Sequence, residues 1–132
     1  MSSHDSGFFG KGIYVTPNSE YAAKYAFGHG GIGTNYDPHP HDPTLRAVLL
    51  CSVCVGLAYP VTREVDYGGR SSGNSDLYGH PLKSGCDAHL ALVHANKGYQ
   101  AVDHEYAQYG EVVVSQYAAV LPLAILWVKA TA

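Results

Sequence analysis

The feature that most constrains the fold is the stretch FFGKGIYVTPNSEYAAKYAF at residues 8–27. Its two glycines precede a short β-branched run, which predicts a strand over residues 12–16. Pro17 ends this strand because proline has no amide hydrogen to donate to a neighbouring strand. The chain must therefore turn at Pro17 and begin a different element.

The element that follows is predicted to be a helix. Asn18 or Ser19 can cap it, and the helix then runs over residues 20–27. Tyr21 and Tyr25 are four residues apart, so their side chains share one face of this helix. The stretch therefore combines a glycine-rich turn, a strand and a helix with two phenol rings.

Clusters of Val, Leu and Ile predict the remaining strands. The clearest strand signal covers residues 45–61, and we expect this strand to be buried on both faces over part of its length. Shorter strands are predicted at residues 89–93, 111–114 and 123–129, with a turn at residues 96–98. Long glycine- and proline-rich loops occupy residues 28–43 and 63–85, and the second contains one helical turn. Strands outnumber helices, so the pattern predicts a mixed α+β fold or a mostly β sandwich.

The length and charge of the chain limit its organisation and its partners. With 132 residues, it is expected to form one domain over residues 8–132, after a loose segment at residues 1–7. Eight Lys and Arg residues and a net charge of −3 do not provide the basic surface of a general nucleic-acid binder. A nucleic-acid substrate is not excluded, but its affinity could not come from charge alone.

An odd number of cysteines and the lack of a signal-like start predict an intracellular protein without a disulfide framework. The apolar runs at residues 47–59 and 118–128 are too short to cross a bilayer, which needs about 20 residues. We therefore interpret both runs as core strands and predict no membrane partner.

A zinc site is the competing hypothesis for the polar residues. His39, His41, Cys51 and Cys54 have the spacing of a four-ligand set. If Cys51 and Cys54 lie in one strand, however, their separation of three directs them to opposite faces. We therefore predict no metal, interpret the cysteines as buried apolar residues, and assign no role to any of the eight histidines.

The stretch FGKGIYVTPNSEYAAKYA resembles the signature of the poly(ADP-ribose) polymerase family of ADP-ribosyltransferases. The resemblance implies two packed, mainly antiparallel sheets, with a short helix and long loops, and NAD+ bound in the cleft between the sheets. In this family a histidine, a tyrosine and a glutamate form the catalytic triad. Tyr14 corresponds to the triad tyrosine, and Tyr25 to the tyrosine that stacks on nicotinamide.

A second segment, YGEVVVSQYAAVLPLAIL, is similar to the terminal motif of the same family. Glu111 occupies the position of the triad glutamate at the start of a valine-rich strand, and Pro122 follows at the expected distance. The segments LLCSVCVG and GCDAHLALVHANKG also look like family segments. The resemblance thus extends from Phe9 to Val128.

The resemblance implies a site and a reaction. Glu111, at a strand start facing a cleft, would stabilise the positive charge that develops on the ribose and act as general base. Tyr14 and Tyr25 would contact the nicotinamide ring, and Gly10 and Gly12 would allow close backbone approach to NAD+. The predicted NAD+ site also includes Ala22, where many family members have a serine that bonds the nicotinamide amide.

The chain departs from the family at the triad histidine, which belongs to a histidine-glycine pair some thirty residues before the tyrosine. Three interpretations remain open: a part of a larger catalytic domain, a short enzyme that binds NAD+ differently, or a degenerate member that serves as a protein-interaction module. We expect transfer of single ADP-ribose units from NAD+ to an acceptor, for which protein is the favoured class and nucleic acid remains an open alternative.

Overall fold

The computed structural model describes residues 7–28 and 38–129. In these residues the elements, in chain order, are β1 (Ile13–Val15), α1 (Ser19–Phe27), β2 (Leu45–Val53), β3 (Ala58–Pro60), α2 (Arg63–Asp66), β4 (Ala88–His94), β5 (Gln100–Ala101), β6 (Tyr109–Val114) and β7 (Val120–Lys129). Short 3-10 helices cover Ala95–Lys97, His104–Tyr106 and Tyr117–Ala119. The predicted α+β class, with more strands than helices, is confirmed.

The chain groups into two compact units. The described part of the first unit comprises residues 7–17 and 54–119, and that of the second comprises residues 18–28, 38–53 and 120–129. Of the predicted loose segment, residues 1–6 lie outside the described residues. The Gly7 carbonyl accepts hydrogen bonds from the backbone N–H groups of Gly10 and Gly79, both at 3.0 Å. Gly7 is therefore anchored within the first unit.

A sheet of five strands forms the first unit, in the order β1-β6-β4-β3, with β5 paired to β4. Only the β3–β4 pair is parallel within the described sheet. Along β4 the buried side chains His89, Ala91 and Val93 alternate with the less buried Leu90, Leu92 and His94. This period of two places one face of β4 in the core and confirms the strand predicted at residues 89–93.

A buried carboxylate holds the connection between β3 and α2. Asp66 accepts hydrogen bonds from the Tyr59 hydroxyl at 2.9 Å and from the Thr62 backbone N–H at 2.8 Å. The Thr62 hydroxyl in turn accepts from the N–H of Val65 at 3.3 Å and caps α2. The predicted helical turn after residue 63 is thus confirmed, and its last residue is a structural core carboxylate.

The second unit contains α1 and the antiparallel pair β2–β7, with a β-bulge at Leu50/Cys51. Helix α1 begins at Ser19 rather than Glu20, and Asn18 occupies the N-cap position but makes no side-chain capping hydrogen bond. Gly28 ends the helix in the left-handed conformation (φ 66°), which glycine adopts without steric cost.

The prediction of one strand over residues 45–61 is wrong. β2 ends at Val53, and β3 forms a separate strand that pairs with β4 in the first unit. Gly56 between them has a positive φ of 51°, which interrupts extended backbone. The predicted burial of β2 on both faces is also wrong, since Leu49 and Leu50 are 58% and 49% exposed.

The last strand is confirmed and is longer than predicted. β7 pairs with β2 from Val120 to Lys129. Its side chains do not form the buried core expected for residues 118–128, because Leu121, Leu123 and Ile125 are 59–62% exposed. Residues 29–37, in the long loop predicted at residues 28–43, lie outside the described residues.

Candidate functional site

Tyr14 and Glu111 lie on the same face of the first sheet, on the neighbouring strands β1 and β6. Tyr14 is directly opposite Val113 in the antiparallel register. Glu111 precedes Val113 by two residues, so its side chain has the same orientation as those of Val113 and Tyr14. Diagonal neighbours of this kind have Cβ atoms roughly 7–8 Å apart. The two predicted catalytic side chains are therefore brought to one region of one sheet.

The Tyr14 hydroxyl holds the turn that precedes its own strand. It donates a hydrogen bond to the Gly10 carbonyl at 2.6 Å and accepts one from the Phe9 N–H at 2.9 Å. The hydroxyl thus satisfies two backbone groups that would otherwise need other partners. This contact fixes both the position of the phenol and the path of the glycine-rich turn.

Gly10 and Gly12 are required by packing within the protein. At Gly10, where φ is +113°, an added Cβ would lie 3.1 Å from Nδ1 of His89. At Gly12 a Cβ would lie 2.5 Å from the carbonyl oxygen of Val114 in β6. Both glycines let the turn approach the sheet closely. The close approach to NAD+ that the sequence predicts for them stays a prediction.

Glu111 occupies the interior of β6 and not its start. It is the third residue of the strand, lies opposite Ala91 of β4, and is 6% exposed. Its charge contributes to raising the pKa of Tyr67, a fully buried phenol whose pKa is raised mainly by burial. The expected position at the start of the strand is therefore wrong, and the expected orientation of Glu111 toward a cleft stays a prediction. The carboxylate belongs to the buried face of the sheet.

His89, a residue with no predicted role, lies in the same region. It lies opposite Val113 in β4, on the face that carries Tyr14 and Glu111, and is fully buried. Its Nε2 accepts a hydrogen bond from the Lys83 backbone N–H at 2.9 Å, and its Nδ1 lies 2.7 Å from the Phe9 carbonyl oxygen. A neutral imidazole with its hydrogen on Nδ1 satisfies both contacts.

The signal that could have identified His89 is its position in the strand. In the segment AHLALVH, His89 shares the inward positions with Ala91 and Val93. A polar residue at an inward position needs hydrogen-bond partners. The sequence does not show which partners these are, because Phe9 is 80 residues away.

Ala22 and Tyr25, predicted to contact nicotinamide, belong to α1 in the second unit. The rings of Tyr21 and Tyr25 contact each other edge to face, with centroids 5.2 Å apart, and their hydroxyl oxygens are 3.4 Å apart. Tyr21 is buried and Tyr25 is half-buried. The two phenols therefore share one helix face, as predicted, and Tyr21 packs in the core of its unit.

Within residues 7–28 and 38–129, no group of three or more His, Cys, Asp or Glu side chains is arranged to hold a metal ion. Cys51, Cys54 and Cys86 are free thiols, and none of them is fully buried. Cys54 follows the end of β2, so Cys51 and Cys54 do not lie in one strand, and the prediction that they do is wrong.

Two open cavities lie in the first unit. One has a volume of about 290 Å³ and is lined by residues of α2 and of the segment before β6. The other has a volume of about 330 Å³ and lies between residues 54–56, Asp87 and residues 115–119. Neither cavity is lined by Tyr14 or Glu111.

The chain was compared with protein-family models, curated proteins and solved structures. No protein-family model, curated protein or solved structure matches the chain. No helix among the described residues is long and apolar enough to cross a membrane.

Proposed function

We propose that the protein is an ADP-ribosyltransferase that transfers single ADP-ribose units from NAD+ to an acceptor and releases nicotinamide. The bond between ribose C1′ and the nicotinamide nitrogen breaks, and its electron pair neutralises the pyridinium ring. A lone pair of the acceptor then forms the new bond to C1′. The acceptor proton is transferred to a base, so atoms and charge balance.

The observation that carries this proposal is the shared face of Tyr14 and Glu111 on adjacent strands. The two residues are 97 positions apart in the sequence, and the β1–β6 register makes them diagonal neighbours. They are also the residues that correspond to two members of the family triad. A chance similarity of short motifs gives no reason for two such distant residues to lie on one face of adjacent strands.

In the proposed reaction Glu111 acts on the developing charge. Cleavage of the C1′–nitrogen bond leaves positive charge on the ribose, and a carboxylate in a water-poor site stabilises such charge strongly. The same carboxylate can accept the acceptor proton as general base. No general acid is needed, because nicotinamide leaves as a neutral molecule.

The aromatic and glycine residues would bind the substrate. Under this proposal Tyr14 contacts the nicotinamide ring, since flat aromatic rings stack or meet edge to face. Gly10 and Gly12 would present backbone groups to the carboxamide. The nicotinamide contacts of Ala22 and Tyr25, both in α1 of the second unit, rest on the resemblance alone. No metal takes part in the proposed reaction.

A second candidate function is a non-catalytic protein-interaction module with the same architecture. Two observations favour it. The Tyr14 hydroxyl is already bonded to Phe9 and Gly10, and Glu111 is only 6% exposed. A phenol and a carboxylate that serve the protein's own packing need not meet a substrate.

Calorimetric titration of the full chain with NAD+, and separately with benzamide as a nicotinamide mimic, distinguishes the two functions. The enzyme predicts saturable binding of both ligands and competition between them. Binding should weaken in Tyr25→Ala and remain unchanged in Tyr117→Ala, an exposed control. Absence of binding heat at several temperatures would exclude the NAD+ site and favour the module.

A further inference from the structure

The cavity of about 290 Å³ in the first unit, here called the Lys97 cavity, is lined by Arg63, Ser71, Lys97, Val102, Asp103 and Tyr106. These residues come from α2, from the loop that follows it, and from the segment between β4 and β6. Charged, hydroxyl and apolar groups therefore surround one space. None of them has a role in the proposed ADP-ribosyl transfer.

Two cations line the Lys97 cavity, and one of them is held in place. The Arg63 guanidinium donates from Nη2 to the Arg70 carbonyl at 2.6 Å and lies 5.0 Å from the centroid of the Tyr67 ring. Such contacts fix a guanidinium while leaving other N–H donors available. Within the part of the chain that the structure describes, neither Arg63 nor Lys97 forms an ion pair. Both cations are therefore available to an anionic ligand, although the Asp103 carboxylate lines the same cavity.

Asp103 adds a group of opposite character to the same wall. It is the N-cap residue of the 3-10 helix His104–Tyr106, but its side chain makes no capping hydrogen bond. An ionised carboxylate accepts hydrogen bonds and repels anions, so it suits the hydroxyl groups of a ligand and not its phosphate. A ligand that satisfies all of these groups therefore carries both a negative group and hydroxyl groups.

The remaining residues that line the Lys97 cavity are mainly apolar, and the cavity itself is small. Val102 and Tyr106, which is 63% exposed, complete the lining. An aromatic ring of this kind can pack against the carbon face of a sugar ring. The volume is at the lower limit of ligand pockets, which begin at about 300 Å³. This size suits a monosaccharide bearing one phosphate better than a dinucleotide.

We propose that the Lys97 cavity binds a sugar phosphate. Lys97 and Arg63 contact the phosphate with the help of the Ser71 hydroxyl, because charge-assisted hydrogen bonds to phosphate are the strongest contacts available here. Asp103 accepts hydrogen bonds from the sugar hydroxyls, and Val102 and Tyr106 pack against the ring. This binding does not depend on the proposed transferase activity.

The test compares three probes with the full chain by calorimetry: ribose 5-phosphate, inorganic phosphate and ribose. We expect ribose 5-phosphate to bind at least about tenfold more tightly than inorganic phosphate, and ribose to bind more weakly than either. The titration uses no NAD+ and measures no turnover, so its result is independent of whether the protein transfers ADP-ribose.

Three variants assign the contacts. Lys97→Gln should weaken ribose 5-phosphate and inorganic phosphate alike, each by about tenfold. Asp103→Asn should weaken ribose 5-phosphate and leave inorganic phosphate unchanged or slightly tighter. Lys11→Gln, an exposed lysine outside the cavity, is the charge-matched control and should change nothing. Lys97 and Asp103 are exposed, so their replacement leaves the core intact.

Several outcomes would overturn the proposal. Equal affinity for ribose 5-phosphate and inorganic phosphate would contradict the proposed sugar contacts, and absence of binding by both would contradict the proposed site. An equal loss in Lys11→Gln and Lys97→Gln would show a general charge effect rather than this cavity. A loss in Asp103→Asn that is the same for both anions would contradict the role assigned to that carboxylate.

Discussion

The imidazole of His89 links two distant parts of the first unit, since its Nδ1 lies 2.7 Å from the carbonyl oxygen of Phe9 and its Nε2 accepts from the Lys83 N–H at 2.9 Å. Phe9 and His89 are both fully buried. The glycine-rich turn is therefore attached to the core through a neutral histidine. This attachment positions the turn that Tyr14 also bonds.

We expect His89→Leu to destabilise the protein strongly. The leucine would leave the Phe9 carbonyl and the Lys83 N–H without the partner that His89 supplies, and each unsatisfied buried group costs about 1–3 kcal/mol. The urea unfolding midpoint should fall by an amount equivalent to about 2–4 kcal/mol. His104→Leu, at an exposed histidine, should stay within about 0.5 kcal/mol. Similar midpoints for the two variants would contradict the bridging role of His89.

Tyr14→Phe tests the hydroxyl contacts of the turn. It removes the acceptor of the Phe9 N–H and the donor to the Gly10 carbonyl, and it keeps the ring. Because this site is only partly buried, we expect a loss of about 1 kcal/mol in unfolding free energy. Tyr117→Phe, whose residue is 68% exposed, is the matched control. Equal stability of Tyr14→Phe and the native chain would show that water replaces the hydroxyl without cost.

The pair Tyr59 and Asp66 predicts a pH dependence at alkaline pH. Burial, and then the hydrogen bond and charge of Asp66, raise the pKa of Tyr59 from 10.0 to about 12. Between pH 10.0 and about 12, the Tyr59 hydroxyl therefore keeps its proton in the folded state, whereas the same hydroxyl has lost it in the unfolded chain. The stabilisation that the Tyr59–Asp66 pair provides is complete below the pKa of Tyr59 in the unfolded chain, and it is lost as the pH rises through about 12.

Comparison with Tyr59→Phe measures this effect directly. At neutral pH we expect the variant to be less stable by about 1 kcal/mol, because Asp66 loses one hydrogen-bond donor. The difference between native and variant should shrink as the pH is raised above 10.0, and urea midpoints at a series of pH values will show it. A difference that stays constant over this range would contradict the raised pKa of Tyr59.

Exposure of β7 gives a further prediction. Ile125 is 59% exposed, and we expect Ile125→Lys to change the unfolding free energy by no more than about 0.5 kcal/mol. Val113 in β6 is fully buried, and Val113→Ala should cost about 2 kcal/mol. Urea unfolding of both variants makes the comparison. A large loss in Ile125→Lys would show that β7 is covered in solution.

Local patterns predicted the elements whose signals are contained within a few residues. The strand that includes Tyr14, the helix after Pro17 and the valine-rich strand of Glu111 all follow from side-chain type, period and turn residues. The break between β2 and β3 was missed because residues 45–61 form one apolar run. Its interruption depends on the backbone of Gly56 and on pairing with β4, which is distant in sequence.

The candidate site could be predicted only in part, for the same physical reason. The order of motifs pointed to Tyr14 and Glu111, and the β1–β6 register places them on one face. The burial of Glu111 and the role of His89 depend on how loops pack against the sheet. Such packing depends on contacts between segments that are distant in the sequence, so the sequence of one short segment does not predict it.

The most direct test of the proposed function is release of nicotinamide from NAD+ by the full chain, followed by chromatography. We expect release by the native chain and by Glu64→Gln, an exposed glutamate that serves as control. Glu111→Gln should lose roughly 100-fold or more of this rate while keeping its urea midpoint close to the native value. Equal rates for Glu111→Gln and Glu64→Gln, or no release above the uncatalysed rate by the native chain, would contradict the account.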